Sequence, residues 1–250
     1  MSRLTILRGY ALRADPDKAI PASILLAHNA DTITIFDAFP KSIFHLLVLP
    51  RVLPPFTVFE LTNLRTLLKC DKARAKDLLD RLNETAKTAR AMIEEEMMKR
   101  YGFKWGIWTG FHAVSSMEHL HLHVISSDLC SASMKVKKHY NSFNPKLGFF
   151  LPLDDIRSWF DAEPSYFAMM SQLKPSQYEP LLKEPLVCWR CDKEQKNMPT
   201  LKTHLQEEWD EEAKREKAKL ERKRKHSSAS QGQAGELADE ETKKQHTESQ

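Results

Sequence analysis

The sequence lacks any apolar run long enough to cross a bilayer. A membrane-spanning helix needs about 20 consecutive apolar residues, and none of the 250 residues belongs to such a stretch. The first twenty residues, MSRLTILRGYALRADPDKAI, also lack the apolar centre of a secretory signal. We therefore expect a soluble, intracellular protein that has no membrane partner.

Cysteine and glycine are also scarce. The chain has 4 cysteines and 7 glycines, and in a reducing compartment disulfides are not expected. Cys70 and Cys130 are isolated thiols, whereas Cys188 and Cys191 form a CxxC pair. No glycine-rich phosphate loop and no acidic pair is present, so the sequence gives no sign of a catalytic divalent metal.

Three histidines alternate in the stretch SSMEHLHLHVISSD (115–128), at His119, His121 and His123. In a strand, residues i, i+2 and i+4 share one face, whereas in a helix the middle histidine would lie about 200° from the first. The alternation therefore predicts a strand with one histidine face and one apolar face. Crowded imidazoles keep at least one ring neutral near pH 7, which suits a metal site or nucleotidyl chemistry.

The order of predicted elements indicates an α+β fold. DTITIFDAFP (31–40) and SIFHLLVLPR (42–51) are predicted strands, and a helix with one apolar face is predicted from about Asp71 to Arg100. FKWGIWTGFHAV (103–114) is a further β-prone segment before the histidine strand. We expect a mostly antiparallel sheet flanked by helices.

The composition predicts three segments: a main folded domain over 1–175, a small module over 186–210, and a charged, largely disordered tail over 211–250. The tail contains the basic block KREKAKLERKRKH (214–226). This block is typical of a nuclear-localisation signal or a DNA-binding arm, and equally of a solvated charged helix.

The module has the spacing Cys188-x2-Cys191-x12-His204-x3-Glu208. A CxxC knuckle facing a short helix matches the tetrahedral zinc site of a ββα finger. Glu208 stands where the usual fourth ligand is a histidine, and a carboxylate is also an acceptable zinc ligand. So short a segment needs metal to hold its fold, so we expect one structural Zn²⁺.

The run His119-Leu120-His121-Leu122-His123-Val124-Ile125 resembles the motif of the histidine-triad family, which comprises nucleotide hydrolases and transferases. FDAFPKSIFHLLVLPR, the triad, KVKKHYNSFN and the finger are similar, in that order, to a DNA-repair branch of that family over about residues 1–209. Glu208 resembles the finger of its fungal members. The forkhead-associated domain of its animal members is missing, so recruitment by that route is not expected.

The resemblance implies the histidine-triad fold and hydrolysis of 5′-adenylated DNA, giving AMP and a 5′-phosphate. His121 is then the nucleophile that carries AMP, and His112 is the acid for the leaving group. His119, His123 and Ser116 are expected to orient the nucleophile and hold phosphate oxygens. The resemblance places Asp37, Lys41, His45 and Phe36 around the nucleotide, and Lys135, Lys138 and His139 on phosphates. Tyr140 replaces a tryptophan of the branch, with little loss expected.

Two other functions remain open. One is hydrolysis of small nucleotides such as dinucleoside polyphosphates or aminoacyl adenylates, which the triad alone does not exclude. The other is a zinc-finger protein that binds DNA ends without turnover. We expect a nuclear, monomeric enzyme whose partners are adenylated DNA ends and AMP, and which requires no catalytic metal.

Overall fold

The fold is built on one six-stranded antiparallel sheet with the spatial order β1-β2-β3-β5-β4-β6. The structure is a computed structural model that describes residues 3–247, with side chains over 4–223. The prediction of an α+β domain with a mostly antiparallel sheet is confirmed. The strands are Leu25–His28 (β1), Thr32–Phe36 (β2), His45–Pro50 (β3), Ile107–His112 (β4), Leu122–Ser126 (β5) and Phe150–Pro152 (β6).

Helices flank this sheet, and none in the described part of the chain combines the length and apolarity needed to cross a membrane. Two 3-10 turns, Arg3–Thr5 and Glu179–Lys183, lie among them. The helices are Ile6–Ala11 (α1), Pro16–Ala19 (α2), Leu64–Leu67 (α3), Lys72–Tyr101 (α4), Lys137–Asn141 (α5), Leu153–Trp159 (α6), Pro164–Met170 (α7), Pro175–Tyr178 (α8) and Met198–Thr247 (α9).

Helix α4 covers one face of the sheet and contacts β2, β3 and β5. It begins where the Asp71 side chain accepts a hydrogen bond from the Arg74 N–H, and it ends at Gly102, whose φ of 78° closes the last turn. Each buried leucine on its inner face contributes about 1.5–3 kcal/mol. The apolar positions that the sequence predicts are buried: Leu78, Leu79, Leu82, Ala86, Ala89 and Ile93.

The opposite face is only partly covered. Leu7 of α1 and Ile20 pack there on Ile33, Ile35 and Leu47 of β2 and β3. The N-terminal segment therefore seals one half of this face. The other half, where β4 and β5 lie, is only partly open, because Phe143 and Leu186 share a buried cluster with Ile125 of β5.

A small hairpin and the start of α9 form a second unit beside β4 and β5. Leu186–Val187 (β7) pairs with Glu194–Gln195 (β8). Leu186 and Leu205 share one buried cluster with Ile125 of β5 and Phe143, so the unit packs on the sheet through a common core. The three predicted segment boundaries stay predictions. Residues 211–247, predicted as a largely disordered tail, continue α9 in the structure, and the disorder stays a prediction.

Candidate active site and metal centre

His121 and His123 face a cavity of about 340 Å³ on the open half of the sheet. β5 begins at Leu122, and alternation along the extended chain places both rings on the side away from α4. Their ring centroids are 5.0 Å apart. The cavity is lined by Asp37, Phe39, Lys41, His45, Leu47, His112, Val114, Ser116, Met117, His121, His123, Lys138, His139, Ser142, Phe143, Phe149 and Leu182.

His119 does not share the face of the other two, so the expectation of three histidines on one strand face is wrong. Its φ of 91° lies in the left-handed region, and this twist turns the ring away from the cavity. The ring is buried, with Nε2 2.7 Å from the Pro50 carbonyl oxygen. What His119 offers the site is its own carbonyl oxygen, 2.8 Å from His121 Nδ1.

This carbonyl fixes the tautomer of His121. A carbonyl oxygen only accepts, so the His121 proton is on Nδ1 and the lone pair is on Nε2. A neutral imidazole nitrogen with its lone pair free, which is chemically able to act as a nucleophile, therefore lies at the cavity.

A second chain of hydrogen bonds fixes His45 and His123. The Lys41 backbone N–H donates to His45 Nδ1 (3.2 Å), so the His45 proton is on Nε2. That N–H donates to His123 Nδ1 over 2.9 Å, which leaves the His123 proton on Nε2. This last group is buried and has no hydrogen-bond partner. An unpaired buried donor is costly, and it is suited to an anionic oxygen of a ligand.

Burial keeps the cavity histidines neutral. It lowers the pKa of His45 to about 4, against a partial opposing effect of Asp37. Burial also lowers the pKa of His121. It lowers the pKa of His112 and His123 well below the ordinary value, with neighbouring histidines adding to the effect. The free site therefore carries uncharged imidazoles at pH 7.

We expect long-range ¹H–¹⁵N spectra of the free protein at pH 7 to show His121 as the Nδ1–H tautomer and His45 and His123 as Nε2–H tautomers. Because burial holds its pKa near 4, the His45 ring should still be neutral at pH 5.5. An imidazolium signal for His121 at pH 7 would contradict the assignment.

His112 comes from β4 and lies against His123 and Phe143, each with ring centroids 4.5 Å away. Its Nε2 is buried without a hydrogen-bond partner. Ser116 lies in the connection before β5 and also lines the cavity. Both residues are therefore in reach of a ligand that occupies the site.

The basic segment is only partly at the cavity. Lys138 and His139 lie on α5 and line it. Lys135 does not line it, and its expected contact with a phosphate stays a prediction; its exposed backbone N–H donates to His139 Nδ1 over 3.3 Å. Lys135 therefore acts on His139 and lies outside the cavity itself.

Of the residues predicted to surround the nucleotide, some line the cavity and one does not. Asp37, Lys41 and His45 line the cavity, whereas Phe36 lies on the α4 side of the sheet and lines a groove with Met92. Strand alternation explains this, because Ile35 and Phe36 point to opposite faces. The apolar wall that the sequence analysis missed is Phe39, 67% exposed at the cavity rim. The sequence signal that could have identified Phe39 was its position as an aromatic residue in the polar connection after Phe36.

The finger brings its four predicted ligands together. Donor atoms of Cys188, Cys191, His204 and Glu208 all lie within 4.8 Å of one another. Cys191 Sγ is 3.2 Å from His204 Nε2, and that nitrogen is 3.5 Å from Glu208 Oε1. Two thiols, one imidazole and one carboxylate fit zinc.

Two protein families match the chain. Residues 146–211 match a C2HE / C2H2 / C2HC zinc-binding finger, which supports the predicted zinc site. Residues 14–139 match the family described as scavenger mRNA decapping enzyme C-term binding. Together they cover the sheet and the finger.

Similar proteins carry the name aprataxin. An aprataxin-like protein of Drosophila melanogaster is 35% identical over 76% of this chain, which spans 25% of that relative. An aprataxin of Ciona intestinalis is 31% identical over 73% of this chain and 42% of its own length. The chain thus spans less than half of these two relatives. It covers 75% of an aprataxin-like protein of Schizosaccharomyces pombe, at 30% identity over 75% of this chain.

A solved structure gives the same result. The crystal structure of the aprataxin orthologue Hnt3 in complex with DNA superposes with a TM-score of 0.61 at 26% identity. The match covers 86% of this chain and 96% of that one. With the ordered triad, the cavity and the finger already described, these relatives show that the chain belongs to the aprataxin family of histidine-triad proteins.

Proposed function

We propose that the chain hydrolyses the 5′-adenylate left on DNA by abortive ligation, through a covalent His121–AMP intermediate. The observation that carries the proposal is the His121 Nε2 lone pair, fixed by the His119 carbonyl 2.8 Å from Nδ1. This nitrogen faces a cavity that also contains Lys138 and the unpaired His123 N–H. The DNA bound to the Hnt3 relative adds support for a nucleic-acid substrate.

The first step forms one bond and breaks one. His121 Nε2 attacks the phosphorus of the adenylate, and the bond to the oxygen of the DNA 5′-phosphate breaks. The His123 Nε2–H donates to a nonbridging oxygen as negative charge builds there. Lys138 neutralises charge beside it, and Ser116 is a further donor at the same oxygens.

The second step releases AMP. Water attacks the phosphorus, the bond to His121 Nε2 breaks, and AMP leaves with the oxygen of that water. His112 is neutral in the free site because burial lowers its pKa; the anionic substrate beside it favours its protonated form. In the first step, His112 gives this proton to the departing 5′-phosphate. In the second step, it takes a proton from the attacking water.

Recognition of the adenosine follows from the cavity wall. Asp37 accepts hydrogen bonds from the ribose hydroxyls, and Lys41 and His45 line the same end of the cavity. Phe39 replaces the predicted Phe36 as an apolar surface for the base. His139 on α5, next to Lys138, completes the phosphate side of the cavity.

The finger zinc is structural in this proposal, and no catalytic metal is needed because His121 itself is the nucleophile. Bound zinc would cross-link Cys188, Cys191, His204 and Glu208 and so hold the hairpin on α9. The protein acts as a monomer, and the basic block at 214–226 favours nuclear import and DNA contact.

The test is incubation of the intact chain with a 5′-adenylated nicked oligonucleotide in the presence of EDTA. We expect release of AMP and a new 5′-phosphate strand on a gel, with little effect of EDTA during a short incubation. An oligonucleotide with an ordinary 5′-phosphate is the control and should not change. An adenylated strand that binds but stays intact would support the non-enzymatic alternative.

Salt separates the DNA substrate from a small one. Contacts with DNA phosphates release counterions, so kcat/KM for adenylated DNA should fall steeply as the salt concentration rises. A plot of log kcat/KM against log salt concentration should have a slope of about −0.9 for each phosphate contacted. A small adenylate should respond weakly. Equal salt dependence, with the small nucleotide turned over faster, would favour the small-nucleotide hydrolase.

A further inference from the structure

The active-site cavity contains a second group of metal-binding side chains. Donor atoms of Asp37, His45 and His123 all lie within 4.8 Å of one another. Asp37 Oδ2 is 3.6 Å from His45 Nδ1, and His45 Nε2 is 2.9 Å from His123 Nδ1. The two rings are buried, whereas the Asp37 side chain is 17% exposed. An ion could therefore enter from the cavity past the carboxylate.

The spacing is looser than in the finger. There two separations, of 3.2 and 3.5 Å, meet at one atom, His204 Nε2. Two ligand atoms bound tetrahedrally at about 2.1 Å from zinc are about 3.4 Å apart. In the cavity, Asp37 and His123 contact opposite nitrogens of His45, so the His45 ring has to turn for the three donor atoms, now within 4.8 Å of one another, to bind one ion.

The donor set selects the class of ion. Imidazole nitrogen suits zinc and its transition-metal neighbours, whereas Mg²⁺ prefers oxygen ligands in octahedral geometry. Three protein ligands leave a fourth position open toward the cavity. Lys41 also lies close to Asp37 and His45, and its ammonium donates to the Phe39 carbonyl oxygen.

We propose that Asp37, His45 and His123 bind one Zn²⁺-class ion in the cavity, and that this ion inhibits the enzyme. A bound ion would take the His45 Nδ1 lone pair that now accepts from the Lys41 N–H, and the His123 Nδ1 lone pair that now accepts from the His45 Nε2–H. The relay that orients the His123 donor would then be lost, and the ion would occupy the place of the nucleotide. The binding of the ion stands independently, and only the inhibition rests on the proposed function.

The site is tested by titrating ZnCl₂ into the full chain with its finger already loaded, using calorimetry and metal analysis. We expect one further equivalent in the wild type. Asp37→Asn and His45→Asn should each weaken its binding by at least about tenfold. The matched control is Asp17→Asn, which removes a surface carboxylate 2.9 Å from His28 and should bind zinc like the wild type. No further equivalent, or unchanged binding in Asp37→Asn, overturns the proposal.

The consequence is tested on turnover of adenylated DNA. Added Zn²⁺ should raise the apparent KM, a weak chelator that spares the finger should reverse this, and equal Mg²⁺ should have no effect. An active chain that binds the further equivalent without inhibition overturns the inhibitory role. A chain that binds the ion in an Asp37-dependent way but hydrolyses no adenylated DNA retains the site and refutes the proposed function instead.

Discussion

His121→Ala is expected to lower turnover of 5′-adenylated DNA by about 10⁴-fold or more, since loss of a nucleophile removes the covalent route entirely. The rate constant is measured from the appearance of the 5′-phosphate strand under single-turnover conditions. The variant should still bind the adenylated end, because the cavity walls are unchanged. The substitution removes only one of the five histidines at the cavity.

The matched control is His28→Ala. His28 lies at the end of β1, pairs with Asp17 and does not line the cavity, so its loss should leave turnover unchanged. Both variants should melt close to the wild type. A His121→Ala protein that turns over like His28→Ala would remove residue 121 from the chemistry.

The covalent intermediate gives the same prediction a direct readout. When the wild type is quenched during turnover at mildly alkaline pH, AMP should be found by peptide mapping on residue 121. Attachment should be through Nε2, because the other nitrogen carries the proton bound to the His119 carbonyl. AMP on another residue would refute the proposed mechanism.

Cys191→Ser is expected to lower turnover of small adenylates as well as of DNA, by about a hundredfold. The reason is that misplacing catalytic groups by about 1 Å has a cost of that order. A finger that serves only to hold DNA would leave the small substrate unaffected. Cys191 is one of the four zinc ligands proposed for the finger, whose metal contributes most of the stability of such a module.

Side-chain hydrogen bonds connect the finger to α5. The Tyr140 hydroxyl donates to the Val187 carbonyl and accepts from the Trp189 N–H, each over 2.9 Å. Asn141 Nδ2 donates to the Glu184 carbonyl over 2.9 Å. Loss of zinc frees this backbone, and with it the helix that carries Lys138 and His139.

The measurement combines activity with hydrogen exchange. Cys191→Ser should lose zinc and show faster amide exchange over 137–144. The matched control is Cys70→Ser, whose thiol lies outside the finger and donates to the Thr66 carbonyl; it should behave like the wild type. Unchanged exchange and unchanged small-substrate turnover in zinc-free Cys191→Ser would show that finger and cavity are independent.

Long periodic segments and ligand spacing were predictable from the sequence. The apolar face of α4 repeats from Ala75 to Met97, over about six turns, and the four finger ligands have fixed separations, so both emerge without knowledge of the fold. Short strands were not predictable. β1 and β6 have 4 and 3 residues, too few for a periodic signal, and they exist because neighbouring strands offer hydrogen bonds.

Orientation was the harder part. The φ of 91° at His119 breaks an alternation that looks uninterrupted in the sequence. A run of histidine and leucine contains no local signal for a left-handed residue, so this break was not predictable. For Phe36 the signal was present: adjacent strand residues point to opposite faces, so Phe36 and its neighbour Ile35 lie on opposite sides of the sheet. Tyr140 was expected to be a passive aromatic, and only tertiary structure reveals the partners of its hydroxyl.

The buried cluster that contains both Leu205 and Phe143 also bears on how this protein could evolve. Close packing transmits a change of volume to its neighbours, and Phe143 also lines the cavity, so a substitution in the finger should change the shape of the cavity. Laboratory selection for turnover alone should recover pairs of compensating substitutions, one in the finger and one at the cavity. If the finger were exchanged for that of a relative, matching changes around Phe143 would be needed. The finger and the cavity are therefore expected to evolve together.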